Sequence, residues 1–220
     1  MKTHIFMDNS NIFGGAQRTA ESLEKAPWPS VRVDYGHLFR LLTHGKNKSQ
    51  GVSMLAGSVP PGNEALWEAA KHAGFDTTLL KRVENDDGSL IEQGVDEAIH
   101  LKIANLLLDT ENPEILIIAT GDGKDTEQGS SFTQQVRRAA KRGWKVEIWS
   151  WDSQLSKRLR DTRLEFADQV TVFRLDKWYR SIVFLKGGTY DMQDGPKTVV
   201  TRTCEAFDFR DSTIAEAKIS

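Results

Sequence analysis

Ile5-Phe6-Met7-Asp8-Asn9-Ser10-Asn11 decides how the chain is read. Three apolar residues run straight into an aspartate, two asparagines and a serine, the pattern of a short buried strand that ends abruptly. In an open parallel sheet, ligands bind beyond the carboxyl ends of the strands. Asp8 therefore falls where chemistry is usually done, although an aspartate there serves equally well as the cap of a following helix. Whether other acids return to the same edge separates the two readings.

Working outward, residues 13–25 read as mixed loop and helix, stopped by Pro27-Trp28-Pro29. Asp34 has the position of an N-cap for a helix carrying Leu38, Leu41 and Leu42. Strands are predicted at 52–56, 75–83, 114–120 and 145–149. A helix with Leu66, Trp67 and Ala70 inward follows Pro60-Pro61-Gly62, and further helices are predicted at 95–109 and 132–142, the last ended by Gly143. Strand and helix alternate at short intervals, which predicts parallel βαβ units with right-handed crossovers, an α/β fold. After Asp152 the rhythm weakens, to a short helix at 153–160, an edge strand at 170–173 and a short helix at 176–182. Lys186-Gly187-Gly188 breaks the chain, and the polar remainder, with a β-prone piece at 198–203, reads as an appendage. The division expected is a domain at 1–182 and a C-terminal extension at 183–220.

The 220 residues suffice for one α/β domain with a sizeable core. With 39% hydrophobic and 27% charged residues, the chain is not of the disordered class. Lys plus Arg number 29 against 31 Asp plus Glu, so any nucleic-acid surface has to be a local patch. Cys204 is the sole cysteine, which excludes a disulfide framework or a cysteine-based zinc site within one chain and fits a reducing cytoplasm. No signal-peptide pattern and no apolar run of membrane-spanning length is expected.

Two more acids fall at strand ends. Asp96 heads a helical stripe that continues through Ile99, His100, Ile103 and Leu107, the face that packs on a sheet. A carboxylate there is either a first-turn partner of the helix dipole or a ligand at the carboxyl edge. Thr120-Gly121-Asp122-Gly123-Lys124-Asp125 follows the strand Ile115-Leu116-Ile117-Ile118 directly. It reads as an ordinary Gly/Asp turn or as a loop whose glycines let backbone approach a ligand. Taken with Asp8, three acids from three elements converge, with Asp125 as a fourth. Such charges repel unless a cation sits among them, and hard oxygen donors suit Mg²⁺ or Mn²⁺. That chemistry serves phosphoryl groups. Asn9 and Asn11 are candidates to orient a phosphate or metal-bound water, and Ser10 and Thr120 to hydrogen-bond a phosphate oxygen or a ligating acid.

The segments Asp8-Asn9-Ser10-Asn11, Gly94-Val95-Asp96 and Thr120-Gly121-Asp122-Gly123 resemble the NYN branch of the PIN-like ribonucleases. So do Ser131-Phe132, Val136, Ala139-Ala140, Gly143-Trp144-Lys145-Val146-Glu147, Trp151 and Leu155-Ser156 downstream. The resemblance covers about the first 180 residues. It implies a three-layer α/β/α domain around a mostly parallel sheet, and a divalent-metal site that cuts RNA phosphodiesters. The family's metal acids map onto Asp8, Asp96 and Asp122. Many relatives carry an Asp-Phe pair soon after the Gly-Asp; here Asp125 stands in a longer loop, and Lys124 is an alternative phosphate contact.

For an RNA partner the candidate patches are Arg137, Arg138, Lys141 and Arg142, then Lys157, Arg158, Arg160 and Arg163. Each is also what a solvated helix face looks like. Trp67, Phe132 and Trp149 are expected in the core, with Trp151 a candidate base-stacking residue. His100 is read as a core histidine. His4, His37, His44 and His72 lack paired ligand spacing, and Cys204 sits in the extension, where a protein partner or a second copy would bind. The expected activity is a metal-dependent ribonuclease. Its rivals are an RNA-binding or adaptor module without turnover, and a phosphohydrolase of small phosphate esters.

Overall fold

Alternation along the first strand sends Ile5 and Met7 to one side and Phe6 to the other, and each side builds its own core. The structure is a computed structural model that describes residues 1–46, 50–58, 64–80, 83–84, 90–91, 94–124 and 131–209. Its strands are β1 (Thr3–Asp8), β2 (Val31–Val33), β3 (Gln50–Ser58), β4 (Asp76–Leu80), β5 (Val83–Glu84), β6 (Leu90–Ile91), β7 (Ile115–Ala119), β8 (Lys145–Ser150), β9 (Val170–Arg174), β10 (Val183–Leu185), β11 (Gly188–Met192) and β12 (Gly195–Val199). Its helices are α1 (Asn9–Glu24), α2 (Tyr35–Thr43), α3 (Glu64–Ala73), α4 (Val95–Asp109), α5 (Phe132–Lys141), α6 (Lys157–Glu165) and α7 (Tyr179–Ile182).

Six strands form one parallel sheet in the order β4-β3-β1-β7-β8-β9. Ile5, Met7, Leu55, Ile117 and Trp149 face α1, α2, α3 and α7. Phe6, Met54, Leu116, Ile118, Val146 and Val172 face α4, α5 and α6. The result is the three-layer α/β/α fold. The chain leaves β1 through β3 and β4 on one side, then returns to pair β7 on the other. The carboxyl ends of β1 and β7 therefore flank the point where strand order reverses, the crevice in which open α/β sheets bind ligands. Among the described residues no helix is long and apolar enough to cross a membrane.

Two departures from the sequence-based expectations matter. The first is that no loop separates β1 from α1: the helix begins at Asn9, not beyond Phe13. Gly15, inside the helix, is buried against Trp151, and a Cβ there would overlap the indole. The glycine is a packing requirement inside the helix rather than its limit.

The second concerns the extension. β10 pairs antiparallel with β2, matching Val183 to Val33 and Leu185 to Val31. Val183 and Leu185 both lie in the core under α1 and α2. Arg202 bridges to Leu185, and its Nε donates to Glu24 Oε2 at the end of α1 (3.1 Å). Residue 182 is thus no structural boundary, because the chain beyond it completes the same core. A smaller shift affects α6, which begins at Lys157 rather than near 153, because the Ser156 side chain caps it by accepting from the Leu159 N–H.

Candidate functional site

The site begins with Asp8, whose carboxylate ends β1 and caps α1. The Asn11 N–H donates to Oδ1 (3.1 Å), and the Thr120 hydroxyl donates to Oδ2 (3.1 Å). Asp8 is almost fully buried, and Thr120 completely so. These two bonds orient the carboxylate. The Thr120 oxygen also accepts the Asp122 N–H (3.2 Å). One hydroxyl thereby links the acid that ends β1 to the loop that follows β7. That loop turns at Asp122, whose Oδ1 accepts the Lys124 N–H (2.8 Å).

Two further bonds hold the loop. Gly121 N–H donates to Asn11 Oδ1 (2.8 Å), and Ser156 N–H donates to the Gly121 carbonyl (2.9 Å). Gly121 and Gly123 are needed here for close approach: a Cβ at the first would overlap the Gln154 carbonyl, and one at the second the Ser156 hydroxyl.

These bonds revise two sequence-based roles. Asn11 spends its oxygen tying α1 to the 121–124 loop. Asn9 is buried, and its Oδ1 accepts the Tyr35 hydroxyl (2.5 Å). Both asparagines act as supports of the crevice rather than as groups aimed into it. Ser10 is exposed in the first turn of α1. The support from Tyr35 escaped the sequence reading, because nothing in the spacing of residues 9 and 35 marks them as partners. Burial pushes the Tyr35 phenol far above its ordinary value, so it stays protonated and remains a donor.

Asp96 lies in the first turn of α4, behind Gly94, whose φ of 81° is accessible to glycine at little cost. His100, one turn on, is buried with its ring edge against Phe132 (4.4 Å). Burial lowers the His100 pKa, and the carboxylates of Glu97 and Asp122 pull it partly back. Asp122 is thus an electrostatic neighbour of the α4 face that carries Asp96. The gathering is nevertheless incomplete. Among the described residues Asp8, Asp96 and Asp122 do not form a group whose ligand oxygens all lie within 4.8 Å of one another. Asp8 and Asp122 are linked through Thr120, whereas Asp96 stands on α4, one turn before His100. Asp125 lies outside the described residues.

The basic residues divide. α5 runs back from the crevice, and its last turn holds Arg138 and Lys141, about 9–14 Å along the axis from its start. Arg142 bonds the Thr110 carbonyl beyond the C-terminus of α4, at the opposite edge of the sheet. Arg137 is paired with Glu165 (2.8 Å). All four residues of that predicted patch are therefore remote from the acids or already paired. Lys124 is exposed beside Asp122, and Lys157 is exposed at the start of α6, next to the Ser156 that grips the loop. Trp149 and Trp151 are both buried, so neither offers a stacking face; the Trp151 Nε1–H donates to the Ile12 carbonyl (2.8 Å).

Comparison with known proteins gives fold rather than function. No family model and no curated protein matches the chain. Among solved structures, a protein of unknown function from Vibrio parahaemolyticus aligns with a TM-score of 0.54 at 17% identity, over 80% of this chain and 94% of its own. That similarity is one of fold. An aminotransferase from Helicobacter pylori aligns over 79% of this chain and 47% of its own, at 11% identity and a TM-score of 0.29, too slight to carry an argument.

Proposed function

We propose that the protein is a divalent-metal-dependent ribonuclease working in the cytoplasm, with its centre between the ends of β1 and β7. The observation that carries this reading is the Asp8–Thr120–Asp122 linkage at the switch point of the sheet. RNA as substrate rests on the resemblance of these segments to the NYN ribonucleases. The donor set fits Mg²⁺ or Mn²⁺, because it is all oxygen and because Mg²⁺ usually binds through one or two carboxylates and keeps several waters. Asp8 and Asp122 would hold the ion directly, and Asp96 would act across a bound water. When bound, the ion supplies charge stabilisation at a phosphate oxygen and a water acidic enough to attack.

The chain's own residues do the rest. Thr120 fixes the direction of the Asp8 carboxylate. Asn11 and Ser156 hold the Gly121 backbone, which aims Asp122. Tyr35 keeps Asn9 from turning into the crevice. Lys124 and Lys157 supply positive charge for a phosphate backbone at the rim.

A second reading is favoured by one specific observation, the failure of the three carboxylates to close into one group. It is an RNA-binding module without turnover. Labelled single-stranded RNA titrated with Mn²⁺ separates the two. Product that rises with Mn²⁺ and disappears in Asp122→Asn supports the nuclease. Retention of RNA with no metal-dependent product supports the module.

A further inference from the structure

A second group of ligand-type side chains lies where the chain beyond β12 passes over α2. Asp34, His37 and Cys204 present a carboxylate oxygen, an imidazole nitrogen and a sulfur that all lie within 4.8 Å of one another. All three are half-buried. Asp34 and His37 stand three residues apart at the start of α2, Cys204 comes from far along the chain, and backbone bonds hold each in place. The Asp34 N–H donates to the Ile182 carbonyl (2.8 Å), and Asp34 caps α2 by accepting the His37 N–H on Oδ1 (2.8 Å). Cys204 lies between two pinned neighbours: Arg202 exchanges both backbone bonds with Leu185, and the Glu205 N–H donates to the Arg180 carbonyl (2.9 Å).

His37 supplies an independent sign. Its Nδ1 sits 2.6 Å from the Ser181 carbonyl, which can only accept. Nδ1 therefore carries a proton, and it is the Nε2 lone pair that the neutral tautomer would offer to a metal. A ring nitrogen bonded to a backbone carbonyl is the arrangement that orients metal-ligating histidines and fixes their tautomer. The Phe207 ring, 5.3 Å away, packs against the imidazole from the same returning segment.

We propose that Asp34, His37 and Cys204 form a binding site for a zinc-class transition metal ion. A mixed oxygen, nitrogen and sulfur set selects Zn²⁺ or Co²⁺ over the Mg²⁺ or Mn²⁺ suited to an all-oxygen centre. Three protein ligands leave one tetrahedral position for water. Binding replaces the thiol proton by the metal, so one proton is released to solvent. A sole cysteine rules out an all-cysteine centre, but not a mixed one that draws its other ligands from α2. The site shares no residue with the proposed nuclease centre, and its test needs no activity.

The full chain, freed of metal with a chelator, is titrated with Co²⁺ and then with Zn²⁺. The expected result is one Co²⁺ per chain, with a thiolate-to-cobalt charge-transfer band and tetrahedral d–d bands, all bleached by Zn²⁺. Cys204→Ser should remove the charge-transfer band. His37→Gln and Asp34→Asn should weaken Zn²⁺ binding by more than the roughly 10–100-fold that loss of an outer partner costs. Asparagine keeps the cap of α2, so Asp34→Asn tests the carboxylate in a folded protein. Asp8→Asn should leave the cobalt spectrum unchanged, which keeps this site distinguishable from the other. Absence of the charge-transfer band, or equal Zn²⁺ affinity in the wild type and Cys204→Ser, would overturn the proposal.

Discussion

Replacing Asp8 by asparagine and by alanine separates its two jobs. As a cap it satisfies the Asn11 N–H, and as an acceptor it satisfies the Thr120 hydroxyl in a fully buried setting. Alanine loses both. The lost cap costs about 1 kcal/mol and the stranded hydroxyl about 1–3 kcal/mol, roughly 2–4 kcal/mol together. At about 2–4 °C per kcal/mol for a chain of this size, the melting temperature should fall by roughly 4–16 °C. Asparagine caps as well as aspartate, and its amide can donate to the Thr120 oxygen, so the loss should stay within about 1 kcal/mol. The two variants should therefore differ clearly in thermal melts while sharing one chemical defect. Metal-dependent cleavage of labelled RNA should fall by more than about a hundredfold in both, since each removes the charge that would hold the cation. Cleavage by Asp8→Asn at the wild-type rate would refute the role of Asp8 at the metal. A wild-type melting temperature for Asp8→Ala would refute its structural role.

Four further outcomes are expected. Tyr35→Phe strands the buried Asn9 oxygen and should cost about 1–3 kcal/mol by denaturant titration, with the Asn9→Leu/Tyr35→Phe pair recovering part of it. Gly15→Ala drives a methyl group into the Trp151 ring and should destabilise by about 1–3 kcal/mol or more, read as a lowered denaturant midpoint at unchanged m. Arg202→Met leaves Glu24 without its cation, and chemical denaturation should show a loss of about 3–5 kcal/mol, much of it restored by adding Glu24→Gln. The Tyr179 phenol is pushed up to about 12 by burial first, then by Glu24, from an ordinary value of 10.0. The folded state therefore holds that proton more tightly. This contribution is complete below pH 10 and is lost as pH rises toward 12, so Tyr179→Phe should flatten the alkaline fall in stability.

The sequence was most legible where one periodicity ran undisturbed. The helix from Val95 to Asp109 has the bounds its stripe implies, and β7 and β8 match their apolar runs within a residue or two. The Asp34 cap and the Gly143 turn, with φ of 79°, also follow from local chemistry. Elements defined by distant partners were not legible. β2 and β10 are three residues each and are strands only because they pair with each other across some 150 positions. The need for Gly15 inside α1 shows only once the Trp151 ring is set against it. Asp8 and Asp122 could be read from strand ends, but the roles of Asn9 and Asn11 depended on Tyr35 and Gly121. His37 and Cys204 were passed over for the same reason: no ligand spacing along the chain joins residues that meet only after the tail folds back.

That return has a consequence for synthesis. Chains emerge from the ribosome amino end first at about 5–20 residues per second, and early segments usually begin to fold while later ones are still being made. Here β2 waits for β10, and the Glu24 carboxylate, at the end of the first helix, waits for Arg202. The β1 flank of the sheet can be assembled early, but the strand partner of β2 and the counter-ion of Glu24 arrive only about 150 or more residues later. A stalled or truncated product ending before residue 183 would therefore expose an unpaired β2 edge and a half-buried acid, marks by which quality control could tell it from the finished molecule.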